Sequence, residues 1–270
     1  MKKLISLALA AVAACTTLAL ASCGNNAKYV AKDIASENNE EYAFAIGKNA
    51  TKKADILAAM DKVVNEINID DIVTYYTDID AGATPSVTLT FANLADNTGD
   101  TLQVYTNAEF SPFEFRDEEN KIVGVDMYIM ELVAEELNMK INFNDIAFDA
   151  IVGKVAAEDN AIGAAGMTVT EERLLEVDFS TTYFSTVQSI ISTEDEAFST
   201  LEALKGKKIG VQKGTTGWIL IDEAINSGVL KDTGAEVITY DNGAVAFTSL
   251  KAGKCDVVVI DKLPANKLVK

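Results

Sequence analysis

The sequence predicts an α/β protein built on two mainly parallel sheets, and three observations carry that reading. From residue 102 onward, short apolar runs of strand character alternate with segments whose apolar residues recur at helical spacing. The chain has 270 residues, enough for two such sheets with their own helical cover. It is 49% hydrophobic and 24% charged, the balance of a globular chain.

The elements follow in order. Residues 42–46 read as a short strand, and 52–67 as an amphipathic helix with Ile56, Leu57, Met60, Val63, Val64 and Ile67 on one face. Residues 81–99 are punctuated by Gly, Pro, Asn and Asp and read as connection. Within them Val87, Leu89 and Phe91 alternate with Ser and Thr like an edge strand. Residues 102–105 are a strand, 126–138 a helix, 141–143 a strand and 148–157 a second helix. Residues 187–192 are extended and 208–212 form a buried strand. Residues 216–227 are a helix stopped by Gly228. A strand at 236–240, a helix at 242–251 and an apolar strand at 256–260 complete the series.

The amino-terminal residues and the charge limit where and on what the protein works. Met1-Lys2-Lys3 is a positive start, and residues 4–20 are almost uninterruptedly apolar, the pattern of a secretory signal. Leu20-Ala21-Ser22-Cys23 resembles a lipobox, in which Cys23 is diacylated and becomes the mature amino terminus; the alternative is an ordinary signal peptide with an incidental cysteine. Cleavage there removes two lysines and no acid, so the net charge of −18 becomes −20. Such a body is not drawn to an anionic membrane and needs its acyl chains to stay there. The same charge argues against nucleic-acid binding. With no histidine in the chain, His-dependent triads and the common zinc sites are excluded. No cofactor or metal is expected. Cys15 leaves with the signal, and Cys255 reads as a small buried hydrophobe.

Five stretches stand in order: Thr106-Asn107-Ala108-Glu109-Phe110-Ser111-Pro112-Phe113-Glu114-Phe115; Gly124-Val125-Asp126; Gly166-Met167-Thr168-Val169-Thr170-Glu171-Glu172-Arg173; Gly210-Val211-Gln212-Lys213-Gly214-Thr215-Thr216; and Val258-Val259-Ile260-Asp261. Together they resemble the polar amino-acid-binding proteins of ABC importers, extracellular solute-binding proteins of family 3 with the type II periplasmic-binding-protein fold. The likeness covers residues 102–270. It implies two lobes joined by two hinge strands, each a mainly parallel sheet flanked by helices, and a free L-amino acid held in the cleft.

Residue chemistry supports the same ligand. An amino acid needs a cation for its carboxylate and an anion for its ammonium. Arg173 can grip a carboxylate in bidentate fashion, or pair at the surface with Glu171 or Glu172. Arg116 lies in a charged turn, where a solvated role fits. Gly214-Thr215-Thr216 opens a helix, so its amides and dipole make an anion seat; an N-cap role for either threonine is compatible with this. Asp261 ends a buried strand, where ligand residues of open α/β sheets gather; its alternative is to cap the helix that follows. The resemblance implies that the Thr216 amide adds a carboxylate contact. It also implies that Asp261, the Gly166 carbonyl and the Thr168 hydroxyl take the ammonium. Phe110 and Phe148 match positions whose rings sandwich the ligand, and the turn around Phe110 suggests exposure at the mouth. Phe113 and Phe115 are assigned to the core. Asn107 and Gln212 match side-chain-reading positions; an amide at Asn107 favours a neutral polar ligand, while Glu109 nearby weakens that inference.

Relatives continue past the strand ending in Asp261 with parts that this chain carries at its start instead. Residues 29–34, 40–46, 52–67 and 69–76 look like that displaced end, so a circular permutation is expected, with 77–100 as the connection between the old termini. The alternative is a truncated receptor behind an unrelated domain. The expected organisation is a signal at 1–22, a lipid-anchored tether at 23–27, a first lobe at 42–191, and a second lobe at 192–270 plus 28–41. Residues 42–46 should run beside 187–191 as the second hinge strand. The expected protein is a monomeric, lipid-anchored receptor on the outer face of the cytoplasmic membrane that serves ABC permease subunits. A dehydratase using Asp261 with Glu109, or a sensor module, is the alternative on the same fold.

Overall fold

The computed structural model describes residues 27–35 and 39–270. The expected signal, Cys15, Cys23 and most of the tether lie outside the described residues. From the amino-terminal side the chain forms β1 (Tyr29–Asp33), β2 (Glu40–Tyr42), β3 (Ala45–Gly47), α1 (Lys53–Glu66) and α2 (Ile69–Asp80). After an irregular stretch come β4 (Thr101–Thr106), β5 (Phe115–Arg116), β6 (Ile122–Val123), α3 (Val125–Glu136), β7 (Lys140–Asp145), α4 (Ile151–Ala157) and β8 (Ala161–Gly163). Then follow α5 (Arg173–Glu176), β9 (Val177–Phe179), β10 (Phe184–Thr186), β11 (Gln188–Thr193) and β12 (Lys208–Gln212). The chain ends with α6 (Thr216–Asn226), β13 (Glu236–Tyr240), α7 (Gly243–Lys251), β14 (Val257–Asp261) and α8 (Lys262–Leu268).

Two five-stranded sheets organise these elements, in the orders β7-β4-β8-β3-β9 and β1-β11-β14-β12-β13. The chain passes between them at β2 and again at β10, and these two strands pair with each other, Tyr42 opposite Phe184 and Glu40 opposite Thr186. The protein is therefore two-lobed, with the β2–β10 ribbon as its hinge. Each sheet is mixed rather than mainly parallel. β4 runs parallel to β7 and β8, and β12 to β13 and β14, because helices carry the chain back between those strands. β3 and β11 arrive from the hinge instead of from a local crossover, and both pair antiparallel with their neighbours.

Apolar periodicity explains the layers. In α1, Ile56, Ala59, Met60 and Val63 are buried, and Tyr42, Phe44 and Ile46 are fully enclosed in the same core. The second lobe closes on Ile190, Ile209, Val211, Ile221, Val257 and Val259. Cys255 is a buried free thiol in the other cluster, with Ala246, Leu250 and Val258.

Several expectations change. Residues 42–46 are not one strand: Ala43 and Phe44 interrupt it, since the chain is turning from the hinge ribbon into the first sheet. Its partners are β10, β8 and β9 rather than residues 187–191, which pair with β1 and β14. The expected lobe boundary at residue 191 falls inside β11, a strand of the second sheet. Residues 81–100 form no strand. Their alternating side chains lie across α2 and α3 instead: the Thr90 carbonyl accepts from the Tyr128 hydroxyl at 2.7 Å, and the Phe91 ring meets Tyr75 and Tyr128 edge-on. Residues 28–76 are not a separate unit, for they supply strands to both sheets and to the hinge.

Candidate functional site

The parallel strands of both lobes end at one cavity. Asn107 follows β4, Phe148 follows β7, and Gly166, Thr168 and Arg173 lie in the segment after β8; Gln212 ends β12 and Asp261 ends β14. With Phe110 and Thr216, all nine residues expected in the cleft line this cavity. Carboxyl ends of parallel strands leave free backbone groups and diverging loops, which is why ligands of open α/β sheets sit there.

Arg173 is 7% exposed, so it is not the surface partner of Glu171 or Glu172. Its Nη1 donates to the Thr168 carbonyl at 2.6 Å and its Nη2 to the Gly214 carbonyl at 3.1 Å. The guanidinium lies over the Phe148 ring, 5.4 Å from its centroid. Burial pushes its pKa down to about 10, with Glu40 and Asp261 opposing; it stays charged at neutral pH. Arg116, by contrast, forms a partly exposed pair with Asp145.

Asp261 is 5% exposed and accepts a hydrogen bond from the Tyr42 hydroxyl at 2.6 Å. It does not cap α8 through its side chain. Burial first, and the nearby Glu40 carboxylate second, hold its pKa well above the usual carboxylate range. Thr215 is the N-cap of α6, its hydroxyl accepting from the Trp218 amide. Thr216 is thus the first helical residue, whose amide has no partner within the helix.

Two glycines are required by close approach. Gly166 has φ +53°, and a Cβ there would meet the Phe110 ring at 2.7 Å. Its amide donates to Asp126, a fully buried acid whose pKa burial lifts to about 7 against the Tyr183 and Gly166 hydrogen bonds. Gly214 has φ +78°, and a Cβ there would press on Asp149 of the other lobe at 2.8 Å.

The lobes touch directly across the cavity. Gln212 Nε2 donates to Asn107 Oδ1 at 3.0 Å, Lys213 pairs with Asp149 at 2.7 Å, and Arg173 reaches Gly214 as described. The space enclosed is about 10 Å³, the room of one water.

Phe110 is 8% exposed, not open at a mouth, because it closes against Gly166 and the Tyr42 and Phe113 rings. Phe113 and Phe115 are buried in the core. Glu109 is exposed and outside the cavity, so it does not pair with Asp261. The acid that does line the cavity is Glu114, fully buried, with neither carboxylate oxygen bonded to a protein donor. Burial, then Asp126 and Asp261, hold its pKa well above normal. Glu114 and Glu40 were missed by sequence reasoning. Glu114 alternates with Phe113 and Phe115, a signal of an inward-facing turn, whereas nothing local marks Glu40. Among the described residues no group of three or more His, Cys, Asp or Glu is arranged to hold a metal, and no helix is long and apolar enough to cross a membrane.

Residues 102–232 match the family described as bacterial extracellular solute-binding proteins, family 3. The L-cystine-binding protein TcyJ of Escherichia coli (strain K12) is 28% identical over 63% of this chain and 62% of its own length. This chain therefore spans less than two thirds of that relative. Among solved structures, an ancestral arginine-binding protein bound to arginine is 41% identical with a TM-score of 0.53, over 60% of this chain and 70% of that one. The ancestral amino acid-binding protein AncCDT-1, a precursor of cyclohexadienyl dehydratase, is 32% identical with a TM-score of 0.55, over 61% and 72%. The order of the motifs, the two lobes and these likenesses agree, and the chain belongs to the bacterial extracellular solute-binding proteins, family 3.

Proposed function

We propose that this protein is an exported receptor, anchored by lipid on Cys23, that takes a free polar amino acid between its lobes and delivers it to the permease of an ABC importer. The observation that carries this reading is the charge layout of the cavity. A buried guanidinium, Arg173, the start of α6 at Thr216 and the buried carboxyl of Asp261 line the same cavity. A zwitterion offers the complementary layout: its carboxylate can take a bidentate pair from Arg173 and the Thr216 amide, and its ammonium can donate to Asp261, the Gly166 carbonyl and the Thr168 hydroxyl. Phe110 and Phe148 flank the ligand, and Asn107 and Gln212 exchange their mutual hydrogen bond for its side chain. An amino acid is larger than the enclosed space, so binding involves parting and reclosing of the lobes about the β2–β10 ribbon.

We propose that residues 28–80 supply, as a circular permutation, the strand and helix that follow the Asp261 motif in the family. In support, β1 to β3 are built into both sheets and the hinge, and α8 lies against β1.

A melting-temperature screen against the twenty amino acids tests the receptor reading. Binding to the native state alone at a hundred times Kd adds about 2.7 kcal/mol of stability, so at least one amino acid should raise the midpoint by several degrees. No shift with any of them would overturn it. The likeness to AncCDT-1 supports a second reading, a dehydratase. With Glu109 outside the cavity, its acid–base pair would have to be Asp261 with Glu114, and turnover of a hydroxylated cyclic acid would establish it.

A further inference from the structure

One carboxylate that does not line the cavity reaches both of its walls. Glu40, in hinge strand β2, accepts on Oε2 from the Thr168 hydroxyl at 3.0 Å and from the Thr216 hydroxyl at 2.8 Å. Its Oε1 accepts from Gln188 Nε2 at 3.0 Å. Thr168 follows β8 in the first lobe, while Thr216 opens α6 and Gln188 opens β11 in the second. One side chain in the hinge is therefore bonded to both lobes at once.

Both hydroxyls converge on a single oxygen. Held at 3.0 and 2.8 Å from one atom, they can lie no more than about 6 Å apart. Thr168 and Thr216 line the cavity, so this bond pair fixes the spacing of its two walls. A parting of the lobes that admits an amino acid carries one threonine away from the other and breaks at least one of the bonds. The other interlobe contacts differ in kind. Gln212 and Asn107 stand where the ligand's side chain goes, and the Arg173 guanidinium faces its carboxylate. Lys213 and Asp149 are 63% and 32% exposed, a pair that contributes little.

The clamp and a ligand use different groups. Each hydroxyl donates its one proton to Glu40 and keeps its lone pairs. Thr168 can then accept from an ammonium, and at Thr216 the backbone amide, not the hydroxyl, meets the carboxylate.

We infer that Glu40 is a positioning residue for lobe closure: by holding Thr168 and Thr216 on one oxygen it weights the closed arrangement, and so scales the affinity for every amino-acid ligand by the same factor. The inference rests on the amino-acid reading above. A ligand that binds one arrangement has its apparent affinity reduced by the fraction of protein in that arrangement. A residue that acts on this fraction alone changes all affinities alike, whereas a residue that touches the ligand changes them unequally.

Calorimetry and small-angle X-ray scattering on the full chain test this, with the twenty amino acids as probes. Glu40→Ala should weaken binding of each amino acid that the wild type takes by a common factor of about ten, leaving their ranking unchanged. The ligand-free variant should have a larger radius of gyration than the ligand-free wild type, and saturation with ligand should bring the two together. Glu40→Asp keeps the charge but is one methylene too short to bring one oxygen to both hydroxyls, and should behave like Glu40→Ala. Glu40→Gln keeps the reach and an accepting oxygen, and should restore most of the affinity and the closure. Unchanged affinity or an unchanged radius in Glu40→Ala and Glu40→Asp would overturn the inference. So would loss factors that differ among ligands by more than about threefold. Each of these leaves the receptor reading intact, whereas failure of the wild type to bind any of the twenty would overturn both.

Discussion

Arg173 shows how a surface-type residue comes to line a buried cavity. A guanidinium buried to 7% exposure is costly, and here it is retained by two backbone carbonyls, one from each lobe, and by the Phe148 face. Both carbonyls are neutral, so much of its charge is left for a carboxylate. A charge-assisted bond contributes on the order of 1.5–3 kcal/mol. Arg173→Ala should therefore weaken amino-acid binding at least about tenfold by calorimetry, while circular dichroism shows the fold retained. Unchanged affinity would remove the carboxylate pole. Asp261 and Glu114 are the converse case: acids held where burial and neighbouring carboxylates disfavour ionisation.

At the scale of elements, the helices that follow β12 and β13 are started by side chains. Thr215 caps α6, and Asn242 caps α7 by accepting from the Val245 amide at 2.8 Å. The second lies away from the cavity and isolates the capping contribution. Asn242→Ala should cost about 1 kcal/mol of stability, read in denaturant melts, with amino-acid affinity unchanged. A loss of affinity would mean that α7 transmits strain to Gln212 through β12. The irregular residues 81–100 make the opposite point: alternation alone does not produce a strand where no neighbouring edge is free to pair with it.

At the scale of the molecule, buried acids set the pH response. Asp126 titrates at about 7 in the fold against an ordinary 3.8. Between those values the folded chain holds a proton that the unfolded chain has released, so stability falls as pH rises through that window. The loss is up to about 4 kcal/mol for this group. Asp261 and Glu114 act in the same direction. The ligand-free melting temperature should be higher at pH 5 than at pH 8; the reverse order would mean these acids are hydrated. The permutation has its own test. A chain rejoined from Lys270 to Lys28 and opened within 81–100 should fold and bind like the original. Failure to fold would show that residues 28–80 are not a transposed end.

The alternation of strands and helices and the apolar face of α1 were legible because each rests on local periodicity. The nine cavity residues came chiefly from the resemblance of short motifs to a known family, with residue chemistry supporting Arg173, the start of α6 and Asp261. Polypeptide geometry alone turns those patterns into elements. What only the tertiary structure decided are pairings between distant residues. Examples are Glu40 against Thr168 and Thr216, Glu114 inside the cavity while Glu109 faces water, and β3 beside β8 instead of beside residues 187–191. The physical reason is that periodicity fixes which face of an element is apolar, but the choice of partner comes from the competition of all faces for burial. That competition is settled only when both lobes and the hinge are in place.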